Sequence, residues 1–449
     1  MSHPILNIIE SISTFDTIKV WLFAGLWGLW MLFKRLALKL WNPRSFECVN
    51  KHDHPPPCLV TASYGHHSFV KLKGVKLHYV EAGSRADPVL LFLHGFPDFW
   101  IGWRAQIGEF AKSHRVIALD LKGFGDSDKP LRRKSYRVEV ILRELSDLIS
   151  SFGMGRCSVV GHDLGALIGW YLAHSSPHLI AKFVAISCPH PNLYWSSLPS
   201  SSTFNPSPSR EISSWESNSH DSICKCYRGR VLTSQKNCQA LEPLTIFKTV
   251  PEPYNAIKLS TRWIYFSQIP LLPELEALQE DVRIIDKCHQ HLISGGGKID
   301  SFMDAYKYTF STVEDWTGPI NYFRNLPYCQ VSNKSGMIEV PCLLIVGNKD
   351  NCIELESIIK STEYTEKYFL KVIENSGHFP HQEHPEIVNQ ALAKFLLGDV
   401  AVTPGKSPSG LVNRLYGTVM SAKTYSNQVF GKALSFGQAP TSLISALKS

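Results

Sequence analysis

One segment of the 449-residue chain carries an acid where few proteins place one: Val159-Val160-Gly161-His162-Asp163-Leu164-Gly165-Ala166-Leu167 reads as a strand, a sharp turn between glycines and an apolar helix. Such an elbow holds its central residue bare at the carboxyl end of the strand. A carboxylate there is ionised at neutral pH and needs no base to become a nucleophile. It can attack a strained or activated carbon and form an ester, which a second step must hydrolyse. The plainer alternative makes Asp163 a turn residue capping the following helix. Two later positions weigh against that alternative. Asp350 ends the run PCLLIVGNKD, and His378 follows the run YFLKVIEN in Ser376-Gly377-His378. The chain order nucleophile, acid, histidine suits two-step hydrolysis, with Asp350 orienting the imidazole and His378 taking the proton of the attacking water. Upstream, PVLLFLHG leads into His94-Gly95-Phe96-Pro97, where the Phe96 backbone N–H can join that of Leu164 as an oxyanion hole.

Positioning these groups requires a scaffold of strand ends. Short apolar runs begin at Val75, Pro88, His114, Cys157, Lys182, Pro341 and Tyr368, separated by stretches of helical length. Continuous β-branched runs punctuated by glycine predict buried, mostly parallel strands of an α/β sheet with helices on both faces. The strand signal stops between Pro191 and Pro341, too long a gap for a loop, so a helical cap is expected there. The expected division is an anchor and connector over 1–65, core over 66–190, a disordered insertion over 191–258, a helical cap over 259–339, core again over 340–398 and a tail over 399–449. Ser, Pro and Asn dominate 196–254, and the His220, Cys224, Cys226 and Cys238 within it match no strong zinc spacing, so no metal is expected. Leu411, Leu415 and Val419 form a weak helical stripe in the tail.

The charge of +7 is mild for this length and is not gathered into basic blocks, which argues against a nucleic-acid partner. Eleven scattered cysteines in a large chain fit a reducing compartment better than a disulfide framework. Val20 to Phe33 is uncharged and is followed by Lys34, Arg35, Lys39 and Arg44. As a helix it is about 21 Å long, which predicts a membrane-spanning anchor with snorkelling lysines or, failing that, an interfacial helix. The excess of positive charge after the run places the large C-terminal part in the cytosol.

At this level the chain resembles the epoxide hydrolases of the α/β-hydrolase superfamily, particularly their membrane-anchored branch. The matching segments are HGFPDFWIGWR (94–104), DLKGFGDSDKP (120–130), GHDLGALIGWYLA (161–173), GPINYFRN (318–325), GNKD (347–350) and SGHFPHQEHPEIVN (376–389), within roughly 66–195 and 259–398. The resemblance implies an α/β-hydrolase fold, an aspartate nucleophile, no dissociable cofactor, and lipophilic epoxides as substrates at a membrane, the endoplasmic reticulum being the expected site. It also implies two cap tyrosines that protonate the ring oxygen. Their positions hold Phe323 and Trp263 here, so Tyr322 and Tyr265 are the candidate donors if the cap is locally re-registered. Otherwise the acid is missing, and a membrane-tethered binding protein without turnover is the alternative. A dehalogenase needs no acid, but Leu164 offers no side chain to hold halide.

Overall fold

A computed structural model describes residues 8–41, 54–153, 155–194, 261–293 and 300–398. The expected disordered insertion, apart from its first residues, lies outside these ranges, as do the cysteine cluster at 224–238 and the tail stripe. Pro191–Tyr194, at the start of that expected insertion, is a helical turn.

Ten strands are described: β1 (Ile9–Ser11), β2 (His66–Leu72), β3 (Val75–Ala82), β4 (Val89–Leu93), β5 (Arg115–Leu119), β6 (Cys157–His162), β7 (Ile180–Ile186), β8 (Cys329–Val331), β9 (Cys342–Gly347) and β10 (Tyr368–Ile373). Eight of them form one sheet in the order β10-β9-β7-β6-β4-β5-β3-β2. From β10 to β5 every pairing is parallel, while β3 and β2 are antiparallel. The seven runs expected as strands are all present. β2 carries no apolar run to announce it: from His67 on its residues alternate exposed and half-buried, the pattern of an edge strand with one wet face. β1 and β8 pair separately as a two-stranded ribbon.

The central strands are buried on both faces, as the unbroken run VLLFL of β4 requires. Helix 138–151 covers one face with Ile141, Leu142, Leu145 and Leu148 at helical spacing. Helix 164–175 is buried all round. After β4 the chain turns to β5 on one side and then returns to β6 on the other. That reversal opens a crevice at the carboxyl ends of β4 and β6, the usual place for a site in an open α/β sheet. Helices between 261 and 323 lie over this edge. Lys129 Nζ meets Asp315 at 2.6 Å and Tyr306 donates to Asp98 at 2.6 Å, tying the cap helices down. Within the cap, buried Arg324 grips Glu274 at 2.8 Å.

The apolar run expected over 20–33 belongs to a longer helix, α1 (Thr14–Trp41), of 28 residues, which by length and composition can cross a membrane.

Candidate active site

The elbow after β6 is strained in the way its chemistry requires. Asp163 sits at φ 44°, ψ −113°, outside the regions L-residues favour. Its backbone N–H donates to Ile186 O at 3.0 Å and its carbonyl accepts from Leu167 at 2.8 Å, so β7 and helix 164–175 hold the turn from both sides. The flanking glycines are there for space. A Cβ at Gly161 would lie 2.5 Å from Ala166 Cα, and one at Gly165 would lie 2.2 Å from Leu93 O.

The Asp163 carboxylate is divided between two sets of partners. Phe96 N–H donates to Oδ2 at 3.1 Å, and the Leu164 backbone N–H also donates to the carboxylate. Oδ1 faces His378 Nε2 at 3.7 Å, longer than a hydrogen bond and within ion-pairing reach. Burial alone would raise the acid's pKa; the imidazole beside it overcomes that and holds the carboxyl below its usual range. On its other side, the ring of His378 meets Asp350 Oδ2 through Nδ1 at 2.9 Å. Asp350 is itself fixed by the N–H groups of Cys352 and Ile353, which donate to Oδ1 at 2.7 and 3.0 Å. Burial works against a charge on His378, but Asp350 and Asp163 outweigh it and raise its pKa well above the ordinary value. The structure thus brings Asp163, Asp350, His378 and the backbone of Phe96 and Leu164 into one constellation at the carboxyl ends of β4, β6, β9 and β10.

Several residues that support this constellation were not singled out in the sequence. Glu383 accepts from the N–H of Gly377 at 2.6 Å and of Phe379 at 3.0 Å, clamping the loop that carries His378. His94 accepts from Leu121 N–H at 3.0 Å through Nε2, so its Nδ1–H donates to Gly95 O at 2.9 Å and fixes the loop ahead of Phe96. Behind the ring of His378, His162 Nε2–H donates to the His378 carbonyl at 2.8 Å, and burial pushes the pKa of His162 down to about 3. One polar atom from each of Asp98, His162 and His381 lies within 4.8 Å of the other two. These are residue types that can hold a cation, as are Asp350, Cys352 and His378, although there His378 Nδ1 is already engaged by Asp350. Burial pushes the Asp98 pKa up to about 7, against the pull of the Tyr306 hydroxyl that donates to it. Asp98, His381 and Glu383 lie inside the segments HGFPDFWIGWR and SGHFPHQEHP, so the signal was present, but ordinary loop acids and histidines look the same.

The cap departs from the expected arrangement. Tyr322 donates its hydroxyl to Lys122 O at 2.9 Å and packs among Phe124 and Tyr136. Tyr265 stacks on Phe23 of α1 with ring centroids 5.4 Å apart. Local re-registration that would aim either phenol at Asp163 is therefore not what the cap has done. Phe323 instead meets Phe96 edge-on at 5.1 Å. The side chain of Trp263 lies outside the described residues. A third phenol, Tyr194, is 5% exposed, and its pKa is raised first by burial and then by the charge of Asp163.

Residues 88–203 match the sequence family described as the alpha/beta hydrolase fold. Epoxide hydrolase 4 of Homo sapiens is 30% identical over 376 residues, covering 82% of this chain and 87% of that one. Epoxide hydrolase 3 of Xenopus tropicalis is 28% identical over 370 residues, covering 81% and 84%. Among solved structures, a point mutant of an epoxide hydrolase from Bacillus megaterium superposes with a TM-score of 0.53 at 22% identity, covering 74% of this chain and 100% of that one. An epoxide hydrolase from Vigna radiata gives 0.52 at 22% identity, covering 76% and 100%. The structural likeness shows the α/β-hydrolase fold, and the identity and coverage of the human relative show more: the chain is a hydrolase belonging to the epoxide hydrolase family.

Proposed function

We propose that the protein opens lipophilic epoxides to diols through a covalent ester on Asp163. The observation that carries this reading is the division of that carboxylate, with Oδ2 against the Phe96 N–H at 3.1 Å and Oδ1 turned toward His378 at 3.7 Å. Oδ1 attacks a ring carbon, the carbon–oxygen bond breaks, and the ring oxygen takes a proton from a phenol. We assign that phenol to Tyr194, a buried tyrosine whose titration is coupled to the charge of Asp163. Esterification removes the Asp163 charge, one of the two that keep a proton on His378, so the imidazolium passes that proton to the phenolate through solvent and becomes available as a base. Water then attacks the ester carbonyl, giving its proton to His378 Nε2. The negative charge develops on Oδ2, where the Phe96 and Leu164 N–H groups already point. Collapse passes the hydroxyl proton of the tetrahedral intermediate to the departing diol oxygen and restores the carboxylate, beside which His378 keeps the proton it took from water.

In this reading the core of 66–190 and 340–398 carries the nucleophile, acid and base, and the region over 259–339 caps it. The N-terminal apolar helix brings the enzyme to a membrane, with the catalytic body in the cytosol at the endoplasmic reticulum, where apolar epoxides partition.

The test is chemical. His378→Gln incubated with a long-chain fatty-acid epoxide accumulates protein heavier by one substrate on the peptide containing Asp163, while Asp163→Asn forms neither adduct nor diol. Diol production by Asp163→Asn overturns the reading. One observation favours the second reading, a tethered protein that binds without turnover: the Phe323 ring stands where the family's donor is expected. Saturable binding with neither adduct nor diol selects that reading.

A further inference from the structure

Helix α1 is not held away from the catalytic body. The strand just before it, β1, pairs with β8, and Ser332 N–H donates to Ile8 O at 2.7 Å. The helix then lies along the cap for most of its length. Val20, Ala24 and Met31 are 1–3% exposed. Gly28 passes so close to Ile269 that an added Cβ would meet it at 3.1 Å. Phe23 stacks on Tyr265, and Arg35 pairs with Glu276 at 3.3 Å. These contacts recur at positions 20, 24, 28, 31 and 35, one stripe of a helix.

The opposite stripe faces outward. Phe15, Ile18, Leu22, Leu26, Leu29 and Leu36 are each 57–67% exposed, and no charge interrupts residues 20–33. Eleven of the nineteen large apolar side chains exposed among the described residues belong to this one helix. A patch so concentrated marks a contact surface. Its edge is basic. The guanidinium of Arg133 lies 5.5 Å from the Trp21 ring centroid, and Arg133 belongs to the turn Leu131-Arg132-Arg133-Lys134, where Leu131 is 64% exposed and Arg132 and Lys134 are exposed.

We propose that α1 lies in the plane of a membrane, sunk to about half its girth in one leaflet, and seats the enzyme there without crossing. A crossing helix would drag the protein surface it grips, including the Arg35–Glu276 pair and Arg133, into hydrocarbon, where such groups are costly. An in-plane helix keeps them wet while burying the apolar stripe, and the 131–134 turn meets anionic headgroups at its side. The occupant of this face is therefore a lipid monolayer with anionic character. This deepens the membrane association proposed above and is independent of whether the aspartyl ester forms.

The full-length protein, bearing an N-terminal epitope tag, is added to preformed sealed vesicles of phosphatidylcholine with or without phosphatidylserine. The protein floats with the vesicles, more so with phosphatidylserine, and its tag is digested by external protease. Leu22→Glu with Leu29→Glu reduces flotation at least tenfold while the melting temperature stays within a few degrees. Arg132→Glu with Lys134→Glu abolishes the phosphatidylserine preference. Three results overturn the proposal: a protease-protected tag, which means crossing; failure to float together with a concentration-dependent dimer that the leucine variants dissociate, which means a second copy covers the face; and flotation that appears only on truncation after residue 398, which means the tail covers it. Melting that collapses in the leucine variants is resolved by Leu26→Ser with Leu36→Ser, and undiminished flotation of that pair also overturns the proposal.

Discussion

Phe323 lays its ring against Phe96 at 5.1 Å and 67°, and Phe96 is the residue whose N–H holds Asp163 Oδ2. The cap position at which the family carries a phenol is thus turned into the site with the hydroxyl removed, and its ring serves as an apolar wall. Restoring the hydroxyl should add a second donor beside the one proposed at Tyr194 without moving the backbone. Phe323→Tyr is expected to raise the rate of epoxide opening by no more than about tenfold alone, and by about 10² when made on the Tyr194→Phe background, the range of a positioned general acid. Pre-steady-state adduct formation on the His378→Gln background measures that step alone, and a rate left unchanged on the Tyr194→Phe background would refute this placement of residue 323.

In the proposed mechanism Tyr194 bears the same step in the native protein. The residue is buried, and both burial and the Asp163 charge keep its phenol protonated, the state a donor needs. Tyr194→Phe is expected to slow adduct formation by about 10² while leaving hydrolysis of a preformed adduct within threefold, since the second step uses His378. Tyr265→Phe, whose ring lies against α1, should change neither rate appreciably. Adduct formation that survives Tyr194→Phe intact removes Tyr194 from the mechanism.

That Asp163, Asp350 and His378 meet was legible because each stands just past a strand whose apolar run announces it, and strand ends in a parallel sheet share one edge. The cap was legible only as a gap. Whether Tyr322 or Phe323 faces the site depends on how helix 313–323 is rotated, and that is set by tertiary contacts. These are the Lys129–Asp315 pair and the Tyr322 hydroxyl on Lys122, neither of which leaves a local pattern. Asp98 and Glu383 lie in legible segments but were not separable from ordinary loop carboxylates, since it is burial that marks the one and two backbone N–H partners that mark the other. For α1, periodicity disclosed an apolar helix but not its inner stripe, because Val20, Ala24 and Met31 are no more apolar than the leucines that face outward.

Glu383 should separate positioning from chemistry. Its carboxylate accepts from two backbone N–H groups on either side of His378, and charge-assisted bonds of this kind are the stronger ones. Glu383→Ala leaves those donors unpaired and is expected to cost about 2–4 kcal/mol of stability. The remaining folded enzyme should form the Asp163 adduct at near-normal rate but hydrolyse it at least tenfold more slowly, with the Glu383→Gln variant intermediate. Equal slowing of both steps would mean that the clamp acts on the whole site and not on the His378 loop.

Asp98 makes a pH-dependent prediction whose sign can be worked out. Burial raises its pKa in the folded protein from 3.8 to about 7. Below the unfolded pKa both states carry the proton and the group is neutral in each. As pH rises between these two values the unfolded chain gives up the proton while the folded one retains it, so this contribution to stability is lost as pH rises through the folded pKa. Three units correspond to about 4 kcal/mol at most. Asparagine imitates the protonated acid, and its carbonyl still accepts from the Tyr306 hydroxyl, which now bonds Asp98 at 2.6 Å. The melting temperature of Asp98→Asn relative to the native protein should therefore climb by several degrees between pH 4.5 and pH 7.5, with most of the change above pH 5. Parallel melting curves across that window would show that Asp98 is ionised in the folded state, and that the cluster with His162 and His381 is charged where burial argues that it is neutral.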